Sequence, residues 1–204
     1  MALTDYFDGE RILRKHGINS IRSMYVGSAA EAISMARGRP VAMKVISGKA
    51  LHKSKSGLVM LNLRTKTDIE RAFNRLSVKA KNLKPYKIIL QEMSAGGIEV
   101  IIGGKTDPQF GKVILFGLGG IYVETFKDFS IRACPISMLD AERMLQSLKS
   151  SEVITYHGKN RKMLAGLLVK VSGLLMSAGL QELDLNPVIL RDDGYDVVDI
   201  RILK

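Results

Sequence analysis

Apolar and polar residues along this chain fall into strand-like runs and helix-like stripes that take turns. Residues 7–16 (FDGERILRKH) carry apolar positions at helical spacing and stop before Gly17, which predicts a helix closed by a glycine. Ile21–Val26 predicts a short strand, and Ser28 stands where a helix over Ala29–Ala36 needs a capping side chain. Val41–Ile46 and Leu58–Leu63 read as two more strands, and Thr67 as the cap of a helix over Asp68–Lys81 with Ile69, Ala72, Phe73 and Leu76 on its buried face. Ile88–Gln91 is a strand that runs into Ser94-Ala95-Gly96-Gly97, a joint by its glycines. Beyond the joint, Ile98–Gly103 and Val113–Phe116 predict strands connected through the turn DPQFG. Asp140–Leu148 and Lys162–Ser177 predict helices, and Glu182–Leu190 pairs with Asp196–Ile202 as a hairpin across Arg191–Gly194. Strands interleaved with helices place the chain in the α/β (α+β) class.

Length and charge sharpen this picture. The 204 residues suffice for one domain made of two lobes, and no internal repeat divides them. The net charge of +11 is uneven: residues 1–90 hold 18 Lys and Arg against 6 Asp and Glu, residues 91–204 hold 13 against 14. Charge and joint change together, so the expected lobes are 1–92, basic, and 93–204. A basic lobe suits a polyanion, whether nucleotide, acidic protein or nucleic acid, although it offers few aromatics for stacking bases. No run approaches the ~18 apolar residues of a membrane span. The amino terminus has no apolar signal core, which predicts a cytoplasmic protein. The single cysteine, Cys134, excludes an intrachain disulfide and a cysteine-based zinc site and reads as a small core residue.

Familiar phosphate and hydrolase motifs are missing. There is no GxxxxGK[ST] loop, no GxSxG elbow and no HExxH pair, and FGLGG lacks the GxGxxG spacing. The chemistry-bearing residues lie elsewhere. Lys44 interrupts the apolar run VAMKVI, where a charge is costly unless an anion accompanies it; an edge-strand lysine is the plainer alternative. The glycines Gly48 and Gly57 bracket a lysine-rich loop whose backbone can approach phosphates. Inside that loop His52 stands beside Lys53, whose charge disfavours the imidazolium and leaves a neutral, nucleophilic ring. In ELDLNP, Glu182, Asp184 and Asn186 share one strand face while Leu183 and Leu185 point to the core. With Asp199 on the partner strand, a carboxylate and a carboxamide form a hard-oxygen pair suited to Mg²⁺.

These residues resemble a family. PVAMKVIS, HKS, LQEMSAGGIEVIIGGKTDPQFGKVILFGLGGIYVE, ELDLNPV and VVDIRI are together similar to the ATP-grasp β subunit of the NDP-forming acyl-CoA synthetases (acetate–CoA ligase, ADP-forming), relatives of succinyl-CoA synthetase. The resemblance runs from Gly9 to Ile202 and implies one ATP-grasp domain over 1–204, two-lobed, with ATP or ADP and Mg²⁺ in the cleft. It implies that Lys44 meets the nucleotide phosphates, with Lys53 and Gly57 beside them, that Gln91, Glu92 and Met93 form the segment meeting the adenine, and that Glu99 lies in the cleft. It further implies Asn186 and Asp199 as magnesium ligands, Asp184 as an acidic residue used in turnover, and His52 as a phosphohistidine on a swinging loop. The implied partner is a separate CoA-binding α subunit with its own phosphohistidine, in a hetero-oligomer. Departures from the family pattern are Lys55 and Gly57-Leu58 near the histidine and His157 in YHGKNRK. They leave open a second reading, a paralogue that binds nucleotide and partner without turnover.

Overall fold

The computed structural model describes residues 2–48, 57–120, 128–156, 158, 160–177 and 179–204. The chain divides into two compact units, one of Ile21–Ser94 and one of Met1–Ser20 with Ala95–Lys204.

In the first unit, β1 (Ser23–Tyr25), α2 (Ala29–Ala36), β2 (Val41–Ile46), β3 (Val59–Leu63), α3 (Lys66–Lys79) and β4 (Lys87–Glu92) follow one another, and α1 (Tyr6–Lys15) precedes them in the other unit. The four strands form an antiparallel sheet in the order β1-β4-β2-β3. Both helices cover one face. Ala32 and Ala36 of α2 and Ile69, Ala72 and Leu76 of α3 pack on Val41, Met43 and Val45 of β2 and Ile88 and Leu90 of β4. Each fully buried Leu or Ile in such a layer contributes about 1.5–3 kcal/mol.

The start of α3 differs from the expectation. Thr65, not Thr67, is the N-cap: its hydroxyl accepts from the Asp68 amide at 3.0 Å and the Asp68 carboxylate accepts from the Thr65 amide at 3.0 Å. Two threonines two residues apart are equivalent to a composition rule, and the reciprocal bond to an acidic residue three positions on decides between them.

In the second unit β5 (Ile98–Asp107), β6 (Gly111–Leu118), β7 (Phe129–Ala133), α4 (Met138–Gln146), α5 (Ser151–Ile154), α6 (Arg161–Leu175), β8 (Glu182–Arg191), β9 (Gly194–Val197) and β10 (Ile200–Leu203) follow in order. The strands pair antiparallel as β10-β8-β5-β6-β7, with β9 also on β8. Helix α6 buries Leu164, Leu168, Val171, Leu174 and Leu175. It comes close because Gly104 of β5 has no side chain: a Cβ there would lie 2.7 Å from Leu175 Cδ2. The expected turn DPQFG joins β5 to β6, with Asp107 Oδ1 accepting from the amides of Gln109 and Phe110.

Three further differences have physical causes. Residues 1–20 were expected in the basic lobe by their place in the sequence. They belong to the second unit instead: the Ala2 amide donates to the Lys204 carbonyl, the Thr4 amide to the Ile202 carbonyl, and Leu3 bridges Leu203. That pairing spans the whole chain, beyond any local pattern. Strand β7 was not among the expected elements, although FSIRA alternates apolar and polar residues; its alternation is inverted, with Phe129 and Ile131 exposed and only Ser130 buried. The partner of β8 is two strands, not one, since β9 and β10 part at Val198-Asp199. Among the described residues no helix is long and apolar enough to cross a membrane.

Two predictions follow from these contacts. Thr65→Ala will lower stability by about 1 kcal/mol and Thr67→Ala by less than about half of that, measured by urea unfolding. Asp128 is pushed up by burial, but the Ser150 hydroxyl, the Lys149 and Ser150 amides and the Lys149 charge outweigh this and hold it below the ordinary 3.8. Its contribution is therefore present above the ordinary value and is lost as pH falls through the lower folded one. The stability gap between wild type and Asp128→Asn will be constant near neutrality and close in acid.

Candidate functional site

Strand β2 lies inside its sheet, between β3 and β4, so Lys44 is not an edge residue; it pairs with Val59 on one side and Ile89 on the other and is 3% exposed. Alternation explains its direction. Val41, Met43 and Val45 enter the helix-covered core, which sends Lys44 to the opposite face. Gln91 shares that face: it stands across from Ala42, and its Nε2 donates to Ser23 Oγ at 2.9 Å. Gln91 is buried, so its amide orientation is set by this bond rather than by solvent.

The two residues after it behave differently. Glu92 places its carboxylate 3.4 Å from Arg39 and 4.0 Å from Arg22, while its amide donates to the Arg22 carbonyl. The Met93 amide is engaged by the Pro40 carbonyl at 3.4 Å. Gly57 has φ +63, in the left-handed region that favours glycine. His52, Lys53 and Lys55 of the loop before it lie outside the described residues, as does His157.

The second unit gathers its candidates on one sheet face. Val100, Ile102, Leu183, Leu185, Val188 and Leu190 are buried, and Gly104 meets Leu175 of α6, so this parity marks the helix-covered side. Glu99, opposite Ile189, and Asp184, opposite Gly103, therefore lie on the opposite side. Glu99 is seated by glycines. The Gly119 amide donates to the Glu99 carbonyl at 2.7 Å, and a Cβ at Gly120 would lie 3.1 Å from Glu99 Oε2. Gly97, two residues earlier, has φ +148, and a Cβ there would collide with the Leu190 carbonyl. The glycines of SAGG and FGLGG thus let backbone close around Glu99.

Asn186 and Asp199 meet where both strands lose their regular alternation. Along β8 the buried positions switch from Leu183 and Leu185 to Val188 and Leu190; across the gap they switch from Val197 to Ile200 and Ile202. Such a change of parity needs an inserted residue, a bulge. Asn186-Pro187 and Val198-Asp199 are the two insertions, and they face one another: the Asn186 amide donates to the Asp199 carbonyl at 3.3 Å, and the Val198 amide to the Pro187 carbonyl at 3.0 Å. The structure thus brings Asn186, Asp199, Asp184 and Glu99 onto one surface.

Among the described residues no group of three or more His, Cys, Asp or Glu side chains converges on a point. The donors present still fit magnesium, which commonly takes one or two carboxylate or amide oxygens and completes its shell with phosphate and water. Residues that spacing alone missed include Arg201, directly opposite Asp184, and Ser23, which orients Gln91. Arg201 was legible as a charge between Ile200 and Ile202, the same signal that singled out Lys44.

Comparison with known proteins identifies the family. The family model for the ATP-grasp domain matches residues 2–203. The β subunit of acetate–CoA ligase (ADP-forming) I from Pyrococcus furiosus is 34% identical over 207 residues, which span 96% of this chain and 89% of that one. Among solved structures, the dinucleotide-forming acetyl-coenzyme A synthetase 1 of Ca. Korarchaeum cryptofilum with coenzyme A and Ca-AMPCP has a TM-score of 0.90 at 32% identity, covering 98% of this chain and 93% of that one. The same enzyme with coenzyme A, acetyl-coenzyme A and a phosphorylated phosphohistidine segment has a TM-score of 0.80 at 31% identity, covering 97% and 91%. By sequence along nearly its whole length and by fold, this chain belongs to the ATP-grasp family, among the β subunits of the ADP-forming acetate–CoA ligases.

Proposed function

We propose that this chain handles the nucleotide in an ADP-forming acyl-CoA synthetase and carries a phosphoryl group on His52 between a CoA-binding α subunit and ADP. The observation that carries the reading is the facing pair of strand insertions that sets Asn186 against Asp199, on the same sheet face as Asp184 and Glu99. A hard-oxygen pair held by backbone bonds suits a polyphosphate-bound cation.

The residues take the following roles. Lys44 offers an ammonium to the phosphates; burial removes competing water, so its attraction for an anion is stronger than at a surface. Gln91, Glu92 and Met93 supply backbone beside the base, and Lys53 and Gly57 flank the incoming group. Asn186 and Asp199 would hold Mg²⁺, which when bound offsets negative charge on the phosphates. Asp184 and Glu99 order the water and hydroxyl groups around them.

On the α subunit, phosphate displaces CoA from the acyl-CoA: a C–O bond forms, the thioester C–S bond breaks, and an acyl phosphate results. A histidine of that subunit then takes the phosphoryl group and releases the acid. His52 accepts the group on an unprotonated nitrogen. A terminal oxygen of ADP next attacks phosphorus, the N–P bond breaks, and ATP leaves with His52 neutral again. The sequence runs in reverse from ATP. A carrier histidine is required because the acyl phosphate and the ADP occupy different subunits.

Mixing the chain with [γ-³²P]ATP and magnesium will give a base-stable, acid-labile label, and His52→Asn will take none while still binding ADP. An unlabelled wild-type chain would leave a nucleotide- and partner-binding subunit without turnover. Asp199→Asn will weaken Mg²⁺-ADP binding by roughly 10- to 100-fold, the loss expected for a charged contact, with little effect on ADP binding in the absence of metal. Isothermal titration with and without magnesium separates the two.

A further inference from the structure

The unit Ile21–Ser94 holds 15 Lys and Arg against 4 Asp and Glu, so it carries a formal charge equal to the whole protein's +11. Lys44 and the lysine-rich loop account for only part of that excess. A second concentration lies at one end of the same sheet, where Ser23, Val41 and Glu92 come together. There, a cavity of about 160 Å³ is lined by Arg22, Arg37 and Arg39 above a floor that includes Met24, Met35 and Leu90. Leu90 belongs to the helix-covered core face, and Gln91 and Glu92 complete the lining where β4 ends.

Its walls are arranged at a conformational cost. Helix α2 ends with Arg37 at φ 50, in the left-handed region where a glycine is usual, and the glycine comes one residue later, Gly38 at φ 73. Two successive left-handed residues reverse the chain within RGRP and set Arg37 and Arg39 on the same cavity. A glycine at position 37 would make the same turn without strain, so the side chain is what the strained position adds.

The cavity also has one internal anion for three guanidinium groups. Glu92 stands 3.4 Å from Arg39 and 4.0 Å from Arg22, both pairs largely exposed, and exposed pairs of this kind hold each other weakly. A guanidinium fork matches a carboxylate through two parallel hydrogen bonds, and the methionines of the floor adapt to apolar chains of differing shape.

We propose that this cavity binds a short aliphatic carboxylate, its head on Arg37 and Arg39 and its chain on Met24, Met35 and Leu90. The apolar floor selects an organic anion over inorganic phosphate. The site shares Gln91 and Glu92 with the segment proposed above to lie beside the base, but its binding of a carboxylate does not depend on that reading.

Isothermal titration of the full chain in phosphate-free buffer with sodium hexanoate tests the assignment, with inorganic phosphate and 1-hexanol as separate arms. The expected result is saturable one-site binding of hexanoate, much weaker binding of phosphate and none of hexanol. The double variant Arg37→Gln/Arg39→Gln should weaken hexanoate by about tenfold or more, the loss of charge-assisted bonds, and leave ADP binding unchanged. Both arginines are exposed, so the variant will fold, and an unaltered thermal transition checks this. Failure of hexanoate to saturate, equal binding by the double variant, or phosphate binding as tight as hexanoate would each overturn the proposal. Failure of the wild-type chain to bind ADP would count against the function proposed earlier, whereas ADP binding lost only in the double variant would overturn this site.

Discussion

Among the described residues, each sheet packs its unit's helices against one side, and strand alternation then dictates what the other side displays. Once Val41, Met43 and Val45 are committed to the helices, Lys44 has one direction left. Once Leu183 and Leu185 are committed, Asp184 and Asn186 have one direction left. The candidate chemistry is in this sense a by-product of packing: the core fixes the faces, and polar residues at the remaining parity become a surface that a nucleotide can use. Mutations that slip a strand by one residue would therefore exchange core and site together.

The matched insertions refine that rule. Without them, Asn186 and Asp199 would sit in an unbroken ladder, with their spacing set by the sheet. Two facing bulges keep the backbone bonded across the gap while the alternation resets on both strands. Glu99 is seated by a different device, the close approach that Gly97, Gly119 and Gly120 permit. A side chain at Gly97 or Gly119 would collide with backbone beside Glu99, and one at Gly120 would press on the Glu99 carboxylate.

Electrostatics divides the molecule more sharply than composition suggests. Residues 1–20, with three basic and three acidic side chains, join the second unit and leave it balanced at 16 of each sign. The basic unit holds Lys44 in near-complete burial and the three arginines in partial exposure. A buried cation near other cations binds anions strongly; exposed ones exchange partners freely and suit weaker, reversible ligands.

Much of the chain could be read from its residues. The boundaries of α2 and β2, the DPQFG turn, and the odd-even sorting of ELDLNP follow from local spacing, because helix caps and strand periods are properties of neighbouring residues. The family resemblance carried the β-subunit assignment because blocks such as LQEMSAGGIEV and FGLGG are long enough to be specific. What local spacing could not supply were the pairing of Leu3 with Leu203, the interior position of β2, the side that β7 buries, and the registration of Asn186 with Asp199. Those are relations between distant segments. The sequence by itself determined which residues carry charge, oxygen or an apolar side chain and in what local period they recur; only the tertiary structure decided which of them share a face, since that depends on strand order and on which bulges face one another across a sheet.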